Sequence, residues 1–151
     1  MLTRRDLVVA VAVASVALAA VAWAQSPGPP LMGSCSLNWD EMQAVPSATG
    51  AKRDVFRERT ATLDQLAVHV TTVKPGERAH DPHRHWEEEL IVVKEGTLES
   101  MQNGETTRLG PGSVIFEASN DLHGLKNVGE TPASYFVIKW FPPGSLAGAK
   151  Q

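Results

Sequence analysis

Two histidines one residue apart, His83 and His85, constrain the backbone of this chain more than any other feature of its sequence. Side chains at positions i and i+2 point about 200° apart on an α-helix, but they share one face of a β-strand. Glu89 has the same parity, so an extended strand directs all three side chains to one side of a sheet. His123 lies well downstream and reaches the same place only from another strand. The pattern therefore predicts a β fold that brings one carboxylate and three imidazoles together.

This set of side chains is typical of a metal site. Neutral imidazole nitrogens suit borderline divalent transition ions, whereas Ca²⁺ and Mg²⁺ prefer shells made only of oxygen. The set therefore predicts one bound divalent ion, which is Mn, Fe, Co, Ni, Cu or Zn, with His83, His85, Glu89 and His123 as its ligands. The residues alone do not choose among these metals. A chance cluster of surface histidines is the competing interpretation.

Glycines and a proline flank the four donor residues. The flanking sequence reads Gly76, then Gly96 after the first three donors, then Gly110-Pro111-Gly112, and finally His123-Gly-Leu-Lys-Asn127. This arrangement resembles the two motifs of the cupin superfamily, and the resemblance covers residues 63–141. Two departures fall in turns. The spacer after Gly76 is one residue longer than usual, and Ala118 stands where a proline often precedes the final histidine.

The resemblance implies a fold and a ligand set. It implies an all-β fold consisting of a single jelly-roll barrel, in a small single-domain cupin. It also implies that His83, His85, Glu89 and His123 are the metal ligands, which favours metal binding over a surface cluster. Cupins include dioxygenases, decarboxylases, isomerases, lyases and binding proteins, so the fold alone does not determine the reaction.

We expect an exported metal-dependent oxidoreductase of dioxygenase type that acts on a small anionic or enolisable substrate. Two alternatives remain open. The first is a non-catalytic periplasmic cupin that binds a metal or a ligand, and the second is a redox-neutral isomerase or lyase. Glu87 has the inward parity of the predicted strand and is the candidate general acid or base, although a solvated rim residue fits it equally well. Glu88, of opposite parity, is expected to face solvent.

Short apolar runs between turn residues predict the same fold from local sequence. The predicted strands are 63–74, 85–94, 97–102, 113–118 and 133–141. Asn103-Gly104 is a strong signal for a tight hairpin. Residues 25–62 show little periodicity, so we expect an irregular N-terminal arm before a barrel at 63–141 and a C-terminal tail at 142–151.

Strand parity predicts which apolar side chains face inward. Ile91 and Val93 are expected in the interior, while Leu90 and Val92 point outward and require cover, which predicts a homodimer.

Two further expectations concern neighbouring strands. In the last strand, the stripe formed by Phe136, Ile138 and Trp140 is expected to be core. His69 could stand behind the metal ligands, but a surface position is favoured.

The first 24 residues predict an export signal. Arg4 and Arg5 open a charged segment, an apolar run follows, and Ala22-Trp23-Ala24 offers a cleavage site. The run is shorter than the ~20 residues that span a bilayer. Thr3-Arg4-Arg5-Asp6-Leu7 resembles the twin-arginine consensus, with a general secretory signal as the alternative. We therefore expect a periplasmic or secreted protein without a membrane segment after cleavage.

The composition limits the kinds of partner that we expect for this protein. A formal net charge of −3 gives no reason to expect nucleic acid as a partner, so a small molecule is the expected ligand. Cys35 is the single cysteine and cannot form a disulfide within the chain.

Overall fold

The computed structural model describes residues 30–148, which include nine β-strands, a short 3₁₀ turn (Trp39–Glu41) and a short helix, α1 (Ser145–Gly148). The strands are β1 (Val45–Pro46), β2 (Gly50–Glu58), β3 (Gln65–Val73), β4 (Glu89–Glu95), β5 (Leu98–Gln102), β6 (Glu105–Leu109), β7 (Val114–Glu117), β8 (His123–Asn127) and β9 (Ala133–Phe141). The predicted export signal, residues 1–24, lies outside the described residues. Across 30–148, no helix has the length and apolar character needed to span a membrane.

The strands form two antiparallel sheets. The larger sheet has the order β1-β2-β3-β9-β4-β7, and the smaller one has the order β6-β5-β8. Strands distant in sequence, such as β3 and β9, are neighbours in space. The prediction of an all-β jelly-roll fold is confirmed, but the two sheets are not closed into a continuous barrel.

The core lies between the two sheets. Ile91 and Val93 on β4 are 2% and 1% exposed, whereas Leu90 and Val92 are half-buried on the outer face. From the smaller sheet, the fully buried Leu98 packs into the same cluster. The inward and outward parity predicted for β4 is therefore confirmed.

The parity expected for β9 is wrong. Tyr135 and Val137 are buried, while Phe136, Ile138 and Trp140 are half-buried on the outer face of the larger sheet. Both faces of β9 carry large apolar side chains, so composition does not distinguish them. The inward face is set by the register of β9 with its neighbours.

The strand predicted for 85–94 begins later than expected. β4 starts at Glu89, and His83 takes part only in an isolated bridge. The ring Nδ1 of His85 lies 2.8 Å from the carbonyl oxygen of Glu87, a local contact between residues i and i+2. Such contacts compete with an extended strand.

The prediction of an irregular arm is wrong for residues 50–58, which form β2 and pair with β3. The register of β2 shifts between Asp54 and Phe56. A β-bulge at this point breaks the alternation of side chains, which explains why the segment shows no period of two. The predicted strands do not include β6 or β8, although the hairpin at Asn103-Gly104 and the placement of His123 on a separate strand imply them. Their residues lack apolar alternation, so no strand boundaries follow from the local pattern.

The hairpin predicted at Asn103-Gly104 is confirmed. It joins β5 to β6, and both residues have positive φ, 49° and 95°. This is the conformation of a type I′ turn. Gly96, which separates β4 from β5, also has positive φ, at 82°. A Cβ added there would lie 2.5 Å from the backbone and side chain of Ala133.

Replacing these two glycines separates backbone strain from steric overlap. Gly104→Ala meets no atom within 4 Å, so only its positive φ opposes the change. We expect it to lower the free energy of unfolding by about 1–2 kcal/mol. Gly96→Ala adds an overlap with Ala133, and we expect a loss of about 3 kcal/mol or more. Urea denaturation measures both values, and equal losses would contradict the close approach of Gly96 to Ala133.

Candidate metal centre

A pair of backbone hydrogen bonds brings His83 and His123 together. The amide of His83 donates to the carbonyl of His123 at 3.0 Å, and the reverse bond measures 3.1 Å. His123 is the first residue of β8, while His83 precedes β4. This bridge joins the segment before β4 to the smaller sheet, and the two ring centroids lie 4.8 Å apart.

Local carbonyl groups orient two of the imidazole rings. The Nδ1 of His85 lies 2.8 Å from the carbonyl oxygen of Glu87, and the Nδ1 of His123 lies 2.9 Å from that of Asp121. A carbonyl oxygen only accepts, so each Nδ1 carries the proton. In a ring whose single proton is on Nδ1, Nε2 keeps the lone pair that a metal ligand requires.

The three imidazoles form a compact group. The ring centroid of His85 lies 5.2 Å from that of His83 and 4.7 Å from that of His123. One nitrogen of each ring lies within 4.8 Å of the other two. Among the described residues, the buried His83 Nδ1 and His123 Nε2 have no hydrogen-bond partner. An unpaired buried polar atom costs about 1–3 kcal/mol. A metal ion would satisfy such a nitrogen, so the group fits a metal site.

The surroundings of His83 keep its ring neutral. Burial lowers the pKa of His83, and the nearby His80, His123 and His85 lower it further. A ligand must offer a lone pair rather than a proton, so this lowering favours metal binding.

Glu89, the fourth predicted ligand, lies beside the imidazoles and is paired with a lysine. Lys139 lies opposite Glu89 in the sheet register, and its ammonium forms an ion pair with Glu89 Oε1. Burial by itself raises the pKa of Glu89, but the hydrogen bond and charge of Lys139 bring it below its usual range. The structure thus brings the three histidines into one group and places an ionised Glu89 next to that group.

A cavity of about 470 Å³ opens beside the group. Its wall includes His83, His123, Glu89 and Lys139, together with apolar side chains of the larger sheet such as Val137. A small molecule in this cavity would therefore contact both the imidazoles and the charged pair.

Sequence reasoning missed Glu117, which lies on the cavity wall. It is the last residue of β7, lies opposite Glu89 in the register and is 1% exposed. Its Oε2 accepts a 3.0 Å hydrogen bond from Gln102, while Oε1 has no partner among the described residues. Burial raises the pKa of Glu117, and the bond from Gln102 opposes this. Its parity, shared with the buried Ile115, is the sequence signal that could have revealed it.

The structure places His69 on the cavity wall rather than on the surface, where sequence reasoning favoured it. Burial and the charge of Lys52 lower the pKa of His69 to about 4. The ring is therefore neutral at physiological pH. His69 lies outside the three-histidine group.

Glu87, the candidate acid or base, contacts His85. Its carboxylate lies 3.4 Å from His85 Nδ1, on the side of the ring that faces away from the lone pair of Nε2. Glu87 and Glu88 are both half-buried. The catalytic role of Glu87 stays a prediction.

Residues 69–139 match the family model of the Cupin domain. The L-ectoine synthases of Bordetella parapertussis and Bordetella bronchiseptica are each 38% identical to the chain over 61 residues. That segment is 40% of this chain and 47% of each synthase, so the chain spans about half the length of the curated relatives it matches.

Solved structures with the same fold include the cupin domain of Schizosaccharomyces pombe Cnp3, with a TM-score of 0.61 and 12% identity over 77% of this chain and 82% of that chain. A polyketide cyclase from Streptomyces resistomycificus has a TM-score of 0.58 and 19% identity over 74% of this chain and 82% of that one. At these identities the likeness concerns the fold alone. Residues 69–139 are therefore similar to the Cupin domain, and the two solved structures share the fold of this chain.

Removing one imidazole tests the metal site. We expect His123→Ala to weaken the binding of Zn²⁺ or Co²⁺ by about 100-fold or more, beyond the 10–100-fold that partners outside the shell produce. His69→Ala is the matched control, because this histidine lies on the same cavity wall but outside the group, and it should keep the wild-type metal content. Elemental analysis after dialysis measures both variants. A full equivalent of metal in His83→Ala/His85→Ala would rule out the site.

Proposed function

We propose that this protein is a metal-dependent enzyme acting on a small anionic or enolisable molecule. The observation that carries the proposal is the three-histidine group, of which His83 and His123 line a cavity of about 470 Å³. This volume lies within the range of about 300–1,000 Å³ that is usual for small-molecule sites. A bound divalent ion supplies Lewis-acid polarisation of a substrate oxygen, and a redox-active ion also supplies electron transfer.

The charges around the cavity favour an anionic substrate. Three neutral imidazoles leave the positive charge of a divalent ion uncompensated, because Glu89 is already paired with Lys139. The ammonium of Lys52, which also lies on the cavity wall, is paired with Asp54, so the ion itself would supply the attraction. A carboxylate, phosphate or enolate is therefore attracted to the cavity.

A redox-neutral elimination, cyclisation or isomerisation is the reaction class that we favour. Glu117 offers a buried carboxyl oxygen on the cavity wall, and this oxygen has no partner among the described residues. A hydroxyl or amine of a substrate could donate to it. The relatives matched over 61 residues are named as L-ectoine synthases, a name that does not denote an oxygenase.

A reaction of dioxygenase type is the second candidate. A donor set of imidazoles suits Fe, Mn, Ni or Cu, ions that also support oxygen chemistry. Glu87, whose carboxylate lies 3.4 Å from His85, is the acid or base that we propose for this reaction.

Proton exchange and oxygen uptake distinguish the two reaction classes. Metal-loaded protein is incubated in D₂O with a panel of hydroxy acids, sugar phosphates, diketones, catechols and flavonols. Anaerobic loss of the proton signal at an enolisable carbon, followed by NMR, supports the redox-neutral reaction. Substrate-dependent oxygen consumption supports the dioxygenase. A stoichiometric metal with neither activity across the panel favours the non-catalytic binding protein.

Three glutamine variants test which carboxylate takes part in any turnover. We expect Glu117→Gln to lower the rate by ~10²–10⁴-fold if Glu117 serves a redox-neutral reaction, and Glu87→Gln to do so in the oxygen-dependent one. Glu88→Gln is the control and should keep the wild-type rate. Metal content and melting temperature are measured in parallel, so that a loss of ligand geometry is not mistaken for a loss of catalysis. Equal rates in all three variants would contradict both assignments.

We also propose that two copies pack through the outer face of the larger sheet. On the edge strand β7, Val114 and Phe116 are 60% and 49% exposed. The ring of Phe116 stacks on that of Trp140, with centroids 6.4 Å apart, and extends the apolar surface across the sheet. A contiguous apolar face of this kind is typical of a protein interface.

Two lysine substitutions test the dimer, one in the proposed interface and one at the opposite edge of the same sheet. We expect Phe116→Lys to make the protein monomeric, because a charge in an apolar interface loses its hydration without gaining a partner. Val45→Lys is the control, because Val45 is 61% exposed on β1 at the other edge. Sedimentation velocity measures the mass of each species. A wild-type monomer, or a dimer in Phe116→Lys, would contradict the interface.

Export to the periplasm remains part of the proposal. It depends on residues 1–24, in which Arg4 and Arg5 precede the apolar run. A twin-arginine route would allow the metal site to be filled in the cytoplasm before export, where weaker binders such as Mn or Fe are not displaced by Cu or Zn.

A further inference from the structure

The pairing of Lys139 with Glu89 changes what a metal ion would meet in this site. Glu89 and Lys139 lie directly opposite each other on β4 and β9, so the sheet register holds them together. Their side chains are only 10% and 18% exposed. The contact is therefore part of the folded sheet rather than a mobile pair on the surface.

The lysine contacts both the carboxylate and the nearest imidazole. Glu89 Oε1 and His85 Nε2 are 3.0 Å apart, which is hydrogen-bonding distance. The Lys139 ammonium pairs with the same carboxylate oxygen and lies 3.4 Å from His85 Nε2. One cation thus already lies against both groups.

We propose that Lys139 retains Glu89 outside the coordination shell, so that a metal ion in this protein is held by the imidazoles of His83, His85 and His123. The inference rests on the metal site of the proposed function. Binding by the imidazoles displaces the ammonium and the carboxylate from His85 Nε2 but leaves the Lys139–Glu89 ion pair intact. Binding by Glu89 requires the ion to break a buried ion pair and to leave the ammonium without its carboxylate, which is strongly unfavourable.

The same arrangement gives Lys139 a role beside the ion. The ammonium holds the carboxylate at the edge of the shell, and the positions that Glu89 would fill remain open to a ligand from the cavity. Lys139 is therefore a positioning residue for Glu89 and determines how many protein ligands the ion has.

Replacing the lysine by an uncharged chain of similar length tests the proposal. In Lys139→Met, Glu89 loses its partner and becomes available as a fourth ligand. We expect the Kd for Co²⁺ to fall by about 10-fold or more, the scale on which groups outside the shell act on metal affinity. The visible absorption spectrum of bound Co²⁺ should also change. Competition with a chromophoric chelator measures the affinity of the full-length protein.

Two further variants separate ligand gain from a general effect of charge. Lys52→Met removes another ammonium from the cavity wall, but Lys52 pairs with Asp54, so this variant should keep the wild-type Co²⁺ spectrum. Lys139→Met/Glu89→Gln removes the carboxylate as well and should lose the gain in affinity. An unchanged or weakened affinity in Lys139→Met, or an equal gain in Lys52→Met, would overturn the proposal.

Two controls keep the result interpretable. Should Lys139→Met fold poorly, the Co²⁺ spectrum of Glu89→Gln decides, because it matches that of the wild type if Glu89 lies outside the shell and shifts if Glu89 is already a ligand. A wild-type protein that binds no Co²⁺ at all would instead contradict the metal site itself, and with it the proposed function.

Discussion

The register of β9 with its two neighbours is the constraint on which the rest of the site depends. β9 pairs with β3 on one side and β4 on the other, so Val137 lies between His69 and Ile91, and Lys139 lies opposite Glu89. A slip of one residue would turn every side chain of β9 to the opposite face. The lysine would leave the cavity, and an apolar residue would face the carboxylate. Burial of the apolar side chains of β9 therefore also fixes the charged pair.

The imidazoles are positioned by local backbone contacts rather than by the register of β9. His83 and His123 meet through an isolated bridge between the segment before β4 and the start of β8, and two backbone carbonyls set the rotation of the His85 and His123 rings. Backbone contacts of this kind leave the ring nitrogens little freedom to reorient. Only His123 lies on a strand, so His83 and His85 depend on these backbone contacts for their positions. The group is therefore organised for a ligand before any ligand binds.

The residues that distinguish this site are not among those that define the two cupin-like motifs: Lys139 follows both motifs, and Glu117 lies in the spacer of the second. Lys139 and Glu117 reach the cavity from β9 and β7, and each lies opposite Glu89 in the register. Lys139 neutralises the carboxylate of Glu89, and Glu117 has one carboxyl oxygen without a partner among residues 30–148. The shared fold supplies the frame, but the charges and hydrogen-bonding groups on these two strands govern which molecules can bind and react.

Local sequence was sufficient for features that depend on a few neighbouring residues. The grouping of the three histidines, the Asn103-Gly104 hairpin, the all-β class and the inward parity of β4 follow from residue chemistry, turn conformation and the period of two. Only the tertiary structure decided that β2 joins the larger sheet, which face of β9 is buried, and that Glu89 pairs with Lys139. The physical reason is that these features arise from pairing between distant strands. A bulge or a register shift changes which side chains face inward without leaving a mark on the local pattern.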